Sequence, residues 1–329
     1  MVSLALGLLL LAAFIAVLQS CRREFAASES LAALQDSARQ ALSVIVPDLE
    51  HAGFFGFASS PAARFNQGGR VIAEGGALRQ PDAVHAVAPV PALPAGSHDC
   101  GVNFAVDLET PVQGSNNAFA VGVDAHDCAP TAAAGGARAH TDTLTVRRAS
   151  GAQSRPLAGR LQLYSRRLEA HGPIDLFADG RAPGPLDPES EVRDLEVRSY
   201  YIANDSVDRR KWAALRVKAL TEARGAAQFR DEEILPGVED LQVEFGLRDP
   251  ADPQARLSFV APDLVASRDH DVVAVRLWLR ICADRTEAGY FDMRPLRYAD
   301  VEFIPSPAEA RQRRLLIQRT VNLRNARTP

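Results

Sequence analysis

The 329-residue chain is short of lysine, of aromatic surface and of net charge. Lys211 and Lys218 are its only lysines, and every other basic residue among the 37 is arginine. That skew follows GC-rich coding and not a chemical task. A net charge of −4 excludes a nucleic-acid binder held by bulk charge. Aromatics at 6% disfavour a carbohydrate-stacking face. Catalytic signatures are missing too. There is no G-x-S-x-G elbow. Gly135-Gly136 runs on into Ala-Arg, with no G-x-G-x-x-G and no P-loop. His51, His85, His140, His171 and His270 have no Ser or Cys partner by motif. Asp249 and Asp252 read as a solvated turn, and Glu232-Glu233 as a solvated face. Arg209-Arg210-Lys211 and Arg311/Arg313/Arg314 are basic clusters without aromatic interleaving, so they mark no nucleic-acid site. No catalytic group, metal or cofactor is assigned. What the chain does have is 47% hydrophobic and 24% charged residues, enough to fold a real core.

The apolar residues are concentrated at the start. From Met1 to Leu18 the one polar side chain is Ser3, and the first charge is Arg22. As a helix these residues rise about 27 Å, slightly short of a bilayer core of about 30 Å. The run is longer than a signal-peptide core of about 7–15 residues and has no positive charge before it. Arg22 and Arg23 lie on its far side, which by the positive-inside rule alone would keep the rest of the chain in the cytoplasm. Helical patterning continues beyond them. Leu31, Leu34, Ala38, Ala41, Ile45 and Leu49 recur at steps of three or four, with Glu29, Asp36, Arg39 and Gln40 between. This is an amphipathic helix with one apolar stripe. No Gly or Pro occurs between Gly7 and Pro47. Pro47 should kink the helix or open a new turn, and Gly53 should stop it. One helix to about Ala52 would be roughly 78 Å long, half suited to lipid and half to a protein surface.

Beyond the helix, residues 58–140 are rich in Gly, Ala and Pro, and Gly172–Pro188 reads as a second break. Leu161–Tyr164 is a short strand signal. Leu241, Val243, Phe245 and Leu247 alternate with polar residues or glycine, as do Val273 through Ile281 over a longer stretch. Leu315, Ile317, Val321 and Leu323 mark a terminal strand. Polar alternates imply sheets with one solvated face and antiparallel pairing. A long helix followed by antiparallel strands is an α+β pattern. The expected division is a helix over 1–53 with a membrane part over 1–20, a loop-rich insertion with short strands over 54–140, and an antiparallel β-rich head over 141–329.

Several segments, in this order, carry a family resemblance: MVSLALGLLLL and ESLAALQDSARQALSVIVPDLEHAGFFG in the helix, TDTLTVRRA at Thr141–Ala149, RSYYIAN at Arg198–Asn204, LPGVEDLQVEFGL at Leu235–Leu247 and RTVNLRNAR at Arg319–Arg327. The chain resembles the PilW-type minor pilins of type IV pili. The resemblance implies a pilin-like α+β fold, a long N-terminal helix packed on antiparallel sheet. It also implies a structural role and not an enzyme. The protein would wait in the inner membrane, single-pass with a periplasmic head, then join other minor pilins and the major pilin on the inner-membrane assembly platform. It would prime the fibre or occupy its tip, in motility, adhesion or DNA uptake. Leu4, Leu8, Leu11, Phe14, Ile15 and Leu18 would pack in membrane and filament. Leu31, Leu34, Ile45 and Leu49 would pack on the head. Pilin precursors begin with a basic leader and a glycine before a phenylalanine-led, glutamate-bearing stretch, which this chain lacks. A start upstream of Met1 is therefore expected, and about six further apolar residues would extend the span to roughly 36 Å.

A periplasmic head favours a disulfide between Cys100 and Cys128, worth roughly 3.5 kcal/mol by loop-closure entropy. His98-Asp99-Cys100 and His126-Asp127-Cys128 also offer two His and two Cys, but not at zinc-finger spacing. Cys282 ends a strand pattern as a small buried hydrophobe. Two alternatives share part of this reading. One is a minor pseudopilin of a type II secretion system. The other is a lipidated periplasmic enzyme or binding protein anchored at Cys21 through a loose Leu18-Gln19-Ser20-Cys21 lipobox.

Overall fold

The computed structural model describes residues 2–59, 61–79, 103–119, 130–248, 256–265 and 271–326. Helix α1 (Val2–Glu50) leads the chain, and its 49 residues extend about 73 Å. It stays one element through Pro47, which sits in the last turn, where a single missing donor costs little continuity. The expected new turn at Pro47 is therefore absent. The freed end is closed locally: the His51 N–H donates to Pro47 O at 3.2 Å, and the His51 ring Nδ1 lies 2.8 Å from the same oxygen. Gly53 then turns the chain away at φ +74° and donates to Arg147 O at 3.0 Å.

Fifteen strands follow among the described residues. They are β1 (Ala63–Gln67), β2 (Arg70–Glu74), β3 (Val112–Ser115), β4 (Thr143–Ala149), β5 (Ala158–Arg166), β6 (Ile174–Asp179), β7 (Ser190–Ala203), β8 (Ala214–Ala223), β9 (Ala226–Pro236), β10 (Val238–Arg248), β11 (Ser258–Val260), β12 (Asp271–Thr286), β13 (Leu296–Tyr298), β14 (Val301–Phe303) and β15 (Gln312–Asn322). A nine-stranded sheet runs β2-β1-β6-β5-β7-β4-β3, with β8 paired to β7 and β9 to β8. A four-stranded sheet runs β11-β10-β12-β15, and β13-β14 form a small hairpin.

Three expectations change. The Gly172–Pro188 break contains β6, whose Ile174, Leu176 and Phe177 are fully buried. β6 pairs β1 in parallel, so the sheets are not purely antiparallel. The outer face of β12 is also not solvated. Trp278 and Arg280 are buried, and the Arg280 guanidinium lies 3.8 Å from the centroid of Phe303 on the β13–β14 hairpin. The hairpin covers the face that alternation alone would leave wet.

Two apolar cores result. The larger joins the second half of α1 to β4, β7, β10, β12 and β15 through residues such as Leu144, Tyr200, Val243, Leu277, Leu279 and Val321. The other lies past the helix end around Phe55, Phe65, Phe104, Leu163, Ile174 and Leu176. β12 runs antiparallel to α1 and β15 parallel to it. The direction follows from Asn325, just past β15, donating to Ala52 O at 3.3 Å just past the helix end, and from β12 pairing antiparallel to β15.

Candidate interaction surface

The two halves of α1 meet different surroundings. Leu8, Leu10, Leu11, Phe14, Ile15, Val17 and Leu18 are all exposed, Leu10 at 72% and Phe14 at 61%. Ordinary globular surfaces scatter such residues singly, whereas a contiguous patch marks an interaction site. Leu4 is on the helix, but its side chain is outside the described residues. Among the described residues no helix is long and apolar enough to cross a membrane.

The second half is held by the head. Leu34, Ala38, Ala41, Ile45 and Leu49 are buried in the larger core. Full burial of a Leu or Ile side chain contributes about 1.5–3 kcal/mol. The stripe begins one turn later than its sequence pattern: Leu31 is 41% exposed and forms no part of the core.

A polar bolt accompanies the stripe. Asp48, three residues after Ile45 on the same face, is 2% exposed. It accepts from Arg148 of β4 at 2.9 Å, from Arg198 of β7 at 3.1 Å and from the Tyr200 hydroxyl. Glu196 also pairs Arg148, at 2.5 Å. Burial first, and the Asp48 charge second, push the Tyr200 phenol well above its ordinary range, so it stays a donor. A buried carboxylate with three donors fixes both the rotation and the height of α1 on the sheet.

Two further buried networks hold the head. The Arg147 side chain is fully buried and donates to Phe104 O at 2.8 Å, Thr110 O at 2.7 Å and Gln113 Oε1 at 2.9 Å, stacked 4.6 Å from the Phe104 centroid. Burial lowers its guanidinium to about 10. Asp142 ties the nine-stranded sheet to β10. Its carboxylate accepts from Asn117 N and Val243 N, both at 2.8 Å, and its own N–H donates to Leu241 O. Burial, with Asp300 and Asp240 nearby, pushes its carboxyl up to about 7 against those two donors.

The charged clusters read from sequence resolve into ion pairs. Glu233 is not a solvated residue: it accepts from Ser206 at 2.8 Å and from buried Arg216 at 3.3 Å. Arg313 pairs Glu287 and Arg314 pairs Glu239, each at 2.8 Å, while Arg209 pairs Asp284. Cys282 is buried, its thiol pushed up to about 12 chiefly by burial. Cys21 is exposed on the continuous helix. Cys100 and Cys128, with the His98 and His126 tripeptides, lie outside the described residues, as do His85, Asp249, Asp252 and His270. Among the described residues no three acidic, His or Cys side chains are placed to hold a metal.

Sequence reasoning did not single out Asp48, Arg148, Arg198, Tyr200 or Arg147. One signal was present: an acid on an otherwise apolar helical stripe needs a partner, and arginine was the abundant one.

The residues packed around the helix include those that match known sequences. Residues 199–325, from β7 through β15, match the family model of the type IV pilus-assembly protein W. No curated protein sequence matches the chain. Among solved structures, a type IV-like pilin from Thermus thermophilus is similar at 12% identity and a TM-score of 0.28, over 60% of this chain and 82% of that one, too slight a likeness to build on. Over residues 199–325, then, the chain is similar in sequence to the PilW family of type IV pilus-assembly proteins.

Proposed function

We propose that the chain is a minor pilin that helps initiate the fibre or occupy its tip. The observation that carries this reading is the bare apolar half of a helix whose other half is bolted into a folded head. Met1–Leu18 rests in the inner membrane with the head in the periplasm. On assembly it leaves lipid and packs against neighbouring pilin helices, so that apolar contacts replace lipid contacts. Leu4, Leu8, Leu11, Phe14, Ile15 and Leu18 make those contacts, and Leu34, Ile45, Leu49 and Asp48 carry the head with the rod. Its partners are the other minor pilins, the major pilin and the assembly platform, and its work is mechanical and not catalytic. The Cys100–Cys128 disulfide belongs to this proposal, because the periplasm favours it. A lipid anchor at Cys21 fits poorly: cleavage before Cys21 would remove the apolar half that the proposal uses.

The test is a Leu10→Asp chain. A mid-bilayer charge costs at least about 2.5–3.5 kcal/mol. Loss of membrane retention or of piliation is expected, with an unchanged head. Normal piliation by Leu10→Asp contradicts the proposal. Complementing a type II secretion defect instead of a piliation defect would assign the chain to the pseudopilins.

A further inference from the structure

We infer that β15 is a docking edge for an extended, carboxylate-bearing segment of another protein chain, which adds to the four-stranded sheet as a fifth strand. The inference deepens the pilus reading by naming the chemistry of a partner. Four observations carry it.

The first is length. β15 ends the order β11-β10-β12-β15 and pairs β12 alone. At 11 residues it is far longer than the edge strands β2, β3 and β11, with 5, 4 and 3. Short edges are a common defence against strand addition, and β15 does not use it. Nor does it carry a proline.

The second is the unpaired backbone. Among the described residues, no hydrogen bond other than those with β12 reaches the main chain of residues 313–321. A row of alternating N–H and C=O groups is recognised by another extended backbone.

The third is charge. From Ala310 to Arg327 there is no acidic residue, and arginine occurs at 311, 313, 314, 319, 324 and 327. Arg313, Arg314 and Arg324 are answered by Glu287, Glu239 and Glu50. Arg319 is exposed and has no ion pair among the described residues. It stands opposite Leu277 in the ladder, on the same face as Ile317 and Val321. An incoming strand that places a carboxylate beside Arg319 complements this edge. A second β15 would bring arginine to arginine, which disfavours self-pairing across this edge.

The fourth is position. β15 runs parallel to the head-packed half of α1 and contacts it, so a partner on this edge lies beside that half of the helix.

The test uses the full chain in detergent micelles and labelled 11-residue peptides of alternating Val with Glu or Lys, read by fluorescence anisotropy. The Glu peptide should bind about fivefold more tightly than the Lys peptide. N-methylating alternate peptide amides should abolish binding by the register that loses its donors. Arg319→Glu, on an exposed side chain, should reverse the charge preference while leaving the circular dichroism unchanged. Equal binding of both peptides, no binding of either, or a Glu preference indifferent to N-methylation would each overturn strand addition at β15. None of these outcomes depends on piliation, so failure here leaves the minor-pilin reading to its own test.

Discussion

The two halves of α1 differ in what their apolar residues touch and not in how helical they are. Leu8 and the side chains from Leu10 to Leu18 are exposed. From Leu34 to Leu49 the apolar side chains enter a core shared with both large sheets. The same residue types therefore do two jobs. In the first half they are available to lipid or to other helices, and in the second they are spent on folding. Asp48 marks the division of labour, because a carboxylate is tolerable on the second half only where Arg148, Arg198 and Tyr200 meet it.

That contrast can be broken most sharply by matched truncations. Leu49→Ala should destabilise the head by about 2–5 kcal/mol in denaturant unfolding, because it opens a cavity in a filled core. Leu11→Ala should leave the same unfolding curve within about 0.5 kcal/mol. Equal effects from the two substitutions would erase the distinction between the halves. Asp48→Asn comes next, at about 3 kcal/mol, since two guanidinium groups lose their shared buried anion. Its companion, Arg148→Met with Asp48→Leu, should recover part of that loss. A variant with no measurable loss would mean that the apolar stripe alone seats the helix. Arg147→Lys should cost about 2 kcal/mol, because a lysine cannot serve three acceptors held by a planar fork. This change lies away from α1 and should leave helix docking intact, as judged by protease resistance of Ser30–Glu50.

A further expected effect is a pH dependence. The Asp142 carboxyl titrates at about 7 in the folded head and near 3.8 when unfolded. Between those values the folded state holds more protons than the unfolded one, so stability falls as pH rises from about 4 to about 7. Asp142→Asn should flatten that slope in thermal melts taken across the window. An unchanged slope would assign the dependence to other groups.

Much of this was legible in the sequence wherever one period ruled. The uninterrupted run from Gly7 to Val46 gives a continuous helix, and alternation over Val273–Ile281 gives the central strand, extended by pairing to Asp271–Thr286. Legibility failed where charges point inward. β8 and β9 present Arg216, Asp231 and Glu233 toward one another, and Arg216 is 5% exposed, so their pattern looks solvated in the sequence. It failed again at β6, where Gly and Pro on both sides hide a six-residue strand that pairs β1 over a long sequence gap. Of the surface itself, the apolar half of α1 was visible in composition. Its polar bolt was not, because Asp48 meets Arg148 and Arg198 only once β4 and β7 are side by side.

The central claim is that the exposed apolar side chains of the first half, Leu11 among them, are free to meet lipid, while the stripe from Leu34 to Leu49 is held by the protein's own head. A fluorescent amino acid at Leu11 of the full chain in liposomes reports this directly. Strong quenching by brominated lipid tails and little by aqueous iodide is the predicted result, with the reverse for the same probe at Gln40. Iodide quenching at Leu11, or protection from both quenchers by the head, would contradict the account.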